Sequence, residues 1–487
     1  MGSLLRSVLS IFSGKIAGIL LSAIFTPILV RIISQTQYGL YASVLAGFSI
    51  VTLLSKGGLF DATRKTVAEH TDNPTEVSSV ISTSLLLSIV YGLLTTIIVF
   101  VALRLEFVPS RYTPYVWVLM GAILFANVFT IVRGAFYGLQ RESVSEVLSV
   151  AQRLVYTSGG LLLAYIGYDV LGVLVAYALS FLLLSMLGTI VLTRYTPYGL
   201  PKREDIATYG KQIASFGGYQ LVGGLSAMLL YRTDILLVEF FIGGTATALY
   251  KSAITPAEMI WFVPSAIQLA FLQHTASLWS SNKVEEINKN IQTGIKYAVL
   301  SLTLFGGGLF ALADPFLTIY FGPDYVGAAA TLQILIFGTF FFGITRVIVP
   351  VLQATGWVRY TELVTFGALV VNIVLNVTLI PRYGIIGAGV GTGLSYIAIF
   401  AGSVALWHYS TFDIVPLRWS GKLVATQGMF AVLFLGIVQW VNVSAWISLL
   451  VFPLLGLALF LGINITAGYI PTEPAEQYLR KATNYPF

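Results

Sequence analysis

Long apolar runs separated by short polar stretches pattern the chain from end to end. A helix rises 1.5 Å per residue and needs about 20 apolar residues to cross a bilayer core. About fourteen stretches fit that template, near 8–33, 38–60, 79–103, 114–136, 147–167, 171–193, 212–241, 245–272, 290–312, 328–350, 359–380, 385–408, 421–441 and 445–468. Some neighbours are separated by only a few residues, as at Pro381–Gly384, and this spacing predicts antiparallel helical hairpins. The longer polar stretches are Asp61–Ser78, Tyr195–Lys211, His274–Lys289 and Thr411–Ser420. The pattern predicts an all-α polytopic membrane protein.

Composition agrees with the pattern. Of 487 residues, 57% are hydrophobic and 10% charged, with mean hydropathy +0.86; a soluble domain carries about 25% charged residues. The first apolar run continues past Lys15 to Val30 and has no cleavage site of small residues, so it reads as a retained span. Cysteine is absent, which excludes disulfides, thiolate metal sites and cysteine nucleophiles. The net charge of +6 comes from basic residues scattered singly through short loops, so topology explains it better than nucleic acid. Cytoplasmic loops carry the excess of Lys and Arg. Placing both termini in the cytoplasm assigns 18 basic residues to that side, among them Arg6, Arg133, Arg153, Arg418, Arg480 and Lys481; Arg31, Arg104, Arg111 and Arg382 fall on the other. The five left over, Lys15, Lys56, Arg232, Lys251 and Arg346, lie inside predicted spans.

Two landmarks recur further along the chain. LVRIISQTQYGLY (Leu29–Tyr41) is answered by LVEFFIGGTATALY (Leu237–Tyr250), and YDVLGVLVAY (Tyr168–Tyr177) by YGIIGAGVGT (Tyr383–Thr392), a register that aligns Gly172 with Gly387. The economical architecture is a six-helix bundle over 1–204, a second over 205–412, and two further helices with a cytoplasmic tail over 413–487. Parallel repeats of this kind place a substrate path between the halves.

The stretch IIGAGVGTGLSY (Ile385–Tyr396) carries glycines two apart and invites a nucleotide-binding reading. A phosphate loop needs backbone N–H groups aimed at a ligand after a strand, whereas these residues follow the turn PRYG and begin a span whose backbone must be satisfied internally. Gly387 with Gly391, and Gly389 with Gly393, instead form two small-xxx-small faces suited to close helix packing.

FGPDYVGAAATLQIL (Phe321–Leu335), LQATG (Leu352–Gly356) and NIVLNVTLIPRYGIIGAG (Asn372–Gly389) resemble the polysaccharide and lipid-linked oligosaccharide flippases of the multidrug/oligosaccharidyl-lipid/polysaccharide exporter superfamily. In the first half, VRIISQTQYGLY with KGGLFDATRKTVAEH (Lys56–His70) looks like that family's first hairpin and loop. The resemblance covers essentially the whole chain. It implies two bundles around a cationic cavity that opens alternately to each side, and a substrate made of a glycan on a polyprenyl phosphate or pyrophosphate.

A charged side chain at mid-bilayer costs about 2.5–3.5 kcal/mol even on the lenient insertion scale, so such residues face water or a partner. Lys15 shares a helical face with Ser22 and Thr26, and Lys56 shares one with Ser49 and Thr52. These stripes suit a wet wall, although a lysine snorkelling to an interface leaves the same pattern. Arg232 and Glu239 lie seven apart on one face; Lys251, Thr255 and Glu258 form another stripe. Lys251 with Glu258 also fits simple structural pairing. Asp234, Glu239 and Glu258 are candidates for ion coupling or for charge pairing, and Arg346 either faces the cavity or reaches the cytoplasmic interface. Lys and Arg would offset desolvation of the phosphate. Ser, Thr, Asn372 and Asn376 would bind sugar hydroxyls or act as interhelical glue.

The expected function is therefore a flippase of the cytoplasmic membrane rather than an enzyme, with no cofactor and no metal. Its partners would be the lipid-linked glycan, membrane lipids, and glycosyltransferases or a polymerase of the same pathway. His70, His274 and His408 lie far apart and show no metal-ligand spacing. Asn442–Ser444 forms a sequon that hugs the membrane and reads as chance. The alternative, a multidrug or small-cation exporter of the same fold, would want an acidic cavity, whereas five Lys or Arg lie within the spans.

The charge split yields a direct test, because single cysteines report cleanly in a chain with none of its own. In intact cells an impermeant thiol reagent should label a cysteine at Arg111 and miss one at Glu204; the opposite pattern overturns the orientation.

Overall fold

A computed structural model describes residues 2–412, 417–441 and 443–470. The side chains of Arg6 and Arg418, the residues Arg480 and Lys481, and Asn442 of the sequon lie outside the described residues. Among the described residues the chain is all helical, in two compact units, Met1–Ala248 and Leu249–Phe487.

Local chemistry sets the element boundaries of the first unit. Helix α1 (Gly2–Ile32) ends just before Ser34, which caps α2 (Gln35–Lys56) through a reciprocal capping box with Gln37. Gly57 and Gly58 then stop α2 in the left-handed region, at φ 53° and 69°, where a side chain would be strained. Helix α3 (Leu59–Glu69) follows at once. The sequence pattern leaves Asp61–Ser78 as a polar stretch, yet α3 is helical because Leu59, Ala62, Thr63, Thr66 and Val67 lie buried on one face. Asn73 caps α4 (Pro74–Arg104), with Pro74 in the first turn. Next come α5 (Thr113–Gly138), α6 (Glu142–Leu163), α7 (Asp169–Leu192), the single turn α8 (Arg203–Asp205) and α9 (Lys211–Phe241). Leu59, Ile81, Phe129, Ile131, Phe136 and Leu184 form the core between α3, α4, α5 and α7. Ile97, Ile98 and Ile190 are exposed, as residues facing lipid are.

Helix α10 (Gly244–Met259) runs from the first unit into the second and meets α11 (Phe262–Ser280) at a bend of 51°. The sequence pattern shows one continuous span there. The second unit continues through α12 (Val284–Ala311), α13 (Ala313–Tyr320), α14 (Ala329–Ala354), α15 (Val358–His408), α16 (Leu417–Trp440) and α17 (Ala445–Thr466).

Among the described residues, eleven helices, or twelve with the bent pair taken as one span, are long and apolar enough to cross a membrane. Two of those eleven, Glu142–Leu192 and Val358–His408, run for 51 residues each and fold back on themselves. The first turns at Gly167, with φ 100°: Gln152 bonds Ser180 at 2.7 Å, and a Cβ on Gly160 would meet Val173. The second turns at Gly384, with φ 61°: Asn372 bonds Thr392 at 3.4 Å, and a Cβ on Gly402 would meet Val364. In both, contacts advance along one arm as they retreat along the other, which defines antiparallel arms. The register that aligns Gly172 with Gly387 therefore aligns two hairpins, each glycine tucked against its own first arm.

The IIGAGVGTGLSY glycines divide into the two expected faces. Added side chains at Gly387 and Gly391 would meet Leu379 and Asn376 of the opposite arm; one at Gly389 would meet Thr331 of α14, and Gly393 lies against Gly338. No strand precedes them among the described residues, and the segment packs helices.

Because Gly338 sits backbone to backbone against Gly393, Gly338→Val should destabilise the second unit by about 1–3 kcal/mol or more. Gly308→Ala, which would meet no atom within 4 Å, should be neutral. Thermal denaturation of the purified variants monitored by size-exclusion chromatography checks the contrast.

Candidate functional site

Two clusters of charged residues in the first unit, one with Lys56 beside it and one around Glu239, are built differently. At the Lys56 end, the turn Leu139–Arg141 sets α5 and α6 side by side, so that Arg133 faces the beginning of α6. Its guanidinium donates from Nη2 to Glu146 at 2.8 Å and from Nε to Ser145 Oγ at 3.1 Å. Tyr137 donates its hydroxyl to the same Glu146 oxygen at 2.7 Å, and the Phe60 ring lies 6.0 Å from the guanidinium. Lys56 and Arg153 both lie within electrostatic range of Arg133. Gly14 and Gly18 of α1, one turn apart, leave room for Glu146 and Arg153 respectively; a Cβ at either would collide. Arg133 and Arg153 thus flank Glu146, Lys56 lies within range of Arg133, and Glu142 sits one turn earlier on the same helix. Lys56 is half-buried and makes no ion pair among the described residues.

The opposite end has a balanced arrangement. Glu239, near the end of α9, is buried with its side chain 6% exposed. Its carboxylate takes an ion pair from Arg111 at 3.4 Å and accepts hydrogen bonds from Tyr112 at 2.8 Å, Ser43 at 3.2 Å and Thr247 at 2.9 Å. Arg111 also lies over the Tyr112 ring at 4.6 Å. A buried carboxylate persists in an apolar setting only with such donors. Beside it opens a cavity of about 380 Å³ between α2, α4, α5 and α9, walled chiefly by Val44, Phe48, Leu119, Met120 and Leu236.

The other sequence candidates are more dispersed. Lys15 is exposed on α1 and makes no ion pair among the described residues, while its stripe partner Ser22 bonds Gly18 O at 3.0 Å. Arg232 is half-buried near Tyr177, and its Nε has no hydrogen-bond partner among the described residues. Glu239, seven positions on, uses Arg111 rather than Arg232 for its ion pair. Asp234 is buried, and its carboxylate accepts the Ile235 N–H at 2.7 Å. In the second unit Lys251 and Glu258 are half-buried on α10. Arg346 donates to Gln268 at 2.9 Å and stacks over Trp261 at 4.7 Å and Phe342 at 5.1 Å. Asn372 and Asn376 are fully buried within the α15 hairpin, where Asn376 Nδ2 bonds the Asn372 carbonyl at 2.9 Å. That position suits interhelical glue.

Arg133, Glu146, Arg153, Arg111 and Tyr112 were not candidates on sequence grounds. Arg133 and Arg153 entered only the charge tally, although both lie well inside helices. The legible signal was a basic and an acidic residue placed either side of a three-residue turn, which brings them face to face.

Residues 4–272 match the family described as polysaccharide biosynthesis protein, and residues 220–378 match the family described as MatE. The chain is 24% identical to a probable low-salt glycan biosynthesis flippase, Agl15, of Haloferax volcanii over 95% of this chain and 96% of that one. It is 22% identical to the probable flippase AglR of the same organism, over 69% and 70%. Among solved structures it superposes on a lipid II flippase MurJ in an inward closed conformation with TM-score 0.72, at 14% identity, covering 95% of this chain and 98% of that one.

Proposed function

The chain belongs to the polysaccharide biosynthesis protein family, and on that footing we propose that it is a flippase carrying a polyprenyl-phosphate- or pyrophosphate-linked oligosaccharide across the cytoplasmic membrane. The observation that carries the reading is the excess of cations around the Arg133–Glu146 pair, with Lys56 making no ion pair among the described residues while it lies inside a span. Such a charge is costly unless water or an anion reaches it. A lipid phosphate is an anion that must leave water in the same place, and each offsets the desolvation of the other. Arg133 contributes a planar fork suited to phosphate oxygens, and Lys56 a mobile point charge.

In this reading the fourteen predicted segments are fourteen crossings, counting the arms of both hairpins separately, and the termini are cytoplasmic. The bundles 1–204 and 205–412 alternate their openings, and 413–487 stands outside the pair. Lys15, Lys56, Arg232, Lys251 and Arg346 are the cavity cations, joined by Arg133 and Arg153; Asp234, Glu239 and Glu258 serve ion coupling or pairing. The chain transports without catalysing, and glycosyltransferases or a polymerase act before and after it. The MatE match over 220–378 favours a second reading, export of a small organic cation by the same fold. Basic residues around the Lys56 end oppose it, because they repel such a substrate.

The test is glycan export per folded molecule. Lys56→Gln, Arg133→Gln and Arg153→Gln should each lower it about tenfold or more, the loss of one charge-assisted contact of about 1.5–3 kcal/mol. Loss of Arg133 also strands Glu146, so its effect is read only after normalising to protein level. Full export in all three variants and in the triple variant would defeat the phosphate assignment.

A further inference from the structure

Helices α2 and α9 form one antiparallel seam through the first unit. From one end to the other it pairs Gly39 with Gly244 at the start of α10, Ser43 with Glu239, Gly47 with Leu236, Leu53 with Gly224, and Gly58 with Gly217. Glycine backbones touch at both extremities, so close approach there is set by the absence of side chains. The contacts between them, Gly47 with Leu236 and Leu53 with Gly224, are apolar, and α9 carries Arg232 and Asp234 along this stretch. The Glu239 end differs from the rest because polar groups of several elements converge there on one carboxylate: Ser43 from α2, Arg111 and Tyr112 from the turn before α5, and Thr247 from α10. Just beyond it, the Thr36 and Thr245 hydroxyls meet at 2.8 Å.

This end lies next to the 380 Å³ cavity, whose wall includes Arg111, Tyr112 and Glu239 themselves. The same polar contacts therefore hold the helices together and form part of the cavity wall. An apolar seam separates in a membrane at little cost, since lipid is as apolar as a neighbouring helix. A buried carboxylate does not separate from its donors unless water or another donor replaces them.

We propose that Glu239 is the latch of this end, positioning α9 and the start of α10 against α2 and the Arg111–Tyr112 turn, and that the end opens when the carboxylate exchanges those partners for water. The inference rests on the flippase reading only for the use to which the opening is put. Its test needs no substrate.

Val51→Cys places a thiol on the cavity wall, away from the polar cluster, in a chain without cysteine. In purified protein, with both faces accessible, a polar maleimide should label this cysteine slowly. Glu239→Gln and Arg111→Gln should each raise the labelling rate about tenfold. In the Glu239→Gln background, oxidation of a Thr36→Cys/Thr245→Cys pair to a disulfide by copper phenanthroline should return labelling to the slow rate, with Val51→Cys as the reporter or, in a parallel variant, Val116→Cys, and reduction should release it. A fold defect would give fast labelling that the disulfide does not reverse, and that outcome overturns the proposal. Labelling unchanged in both charge variants overturns it equally. In cells the oxidised Thr36→Cys/Thr245→Cys protein should stop glycan export reversibly. Slow, latch-dependent labelling in a protein that exports no glycan would defeat the flippase reading and leave the latch standing.

Discussion

Lipid offers no hydrogen bonds and does not solvate charge, so every polar group within a span must find its partner in the protein, in water or in a ligand. The first unit meets this constraint in two ways. At the Glu239 end the carboxylate is enclosed by four donors, and the charge of Arg111 is matched. At the Lys56 end one arginine is matched by Glu146, while Lys56 and Arg153 add positive charge around the pair. A balanced cluster is a fastening. An unbalanced one is a place for an anion.

The helical framework serves that distinction. Without a hydrophobic force between helices in lipid, close packing has to come from small residues. Glycines accordingly mark the contacts that place the charges: Gly14 and Gly18 admit Glu146 and Arg153 against α1, while Gly39, Gly58, Gly217 and Gly244 draw α2 and α9 together. In the second unit Gly338 and Gly393 let α14 meet the α15 hairpin, and Arg346 is fixed nearby on α14 by Trp261, Phe342 and Gln268.

Much of this framework was legible in the residues. Apolar runs located the helices, PRYG located the turn at Gly384, and spacing by four sorted the IIGAGVGTGLSY glycines into two packing faces. Helix α3 was missed because a window over Asp61–Ser78 averages its buried face with its charged one. The bend between α10 and α11 was missed because both sides of it are equally apolar. The site was less legible than the fold for the same reason. Arg133 is one charge among apolar neighbours within α5, and a tally by loops absorbed it. Glu239 was legible as a candidate for charge pairing but its partner was not, because the ion pair comes from Arg111, 128 positions earlier, which only the folded chain brings near.

The central claim, that the chain moves a phosphate-bearing lipid-linked glycan, is tested most directly with purified protein in sealed vesicles. The vesicles would carry a polyprenyl-pyrophosphate oligosaccharide in both leaflets, and a soluble glycosidase outside would report the accessible fraction. Without protein about half of the glycan should be cleaved. With the wild-type chain cleavage should run on towards completion, at a rate that falls about tenfold when Lys56 and Arg133 are both replaced by Gln. Cleavage that stops at half, or a rate indifferent to those two residues, would contradict the account.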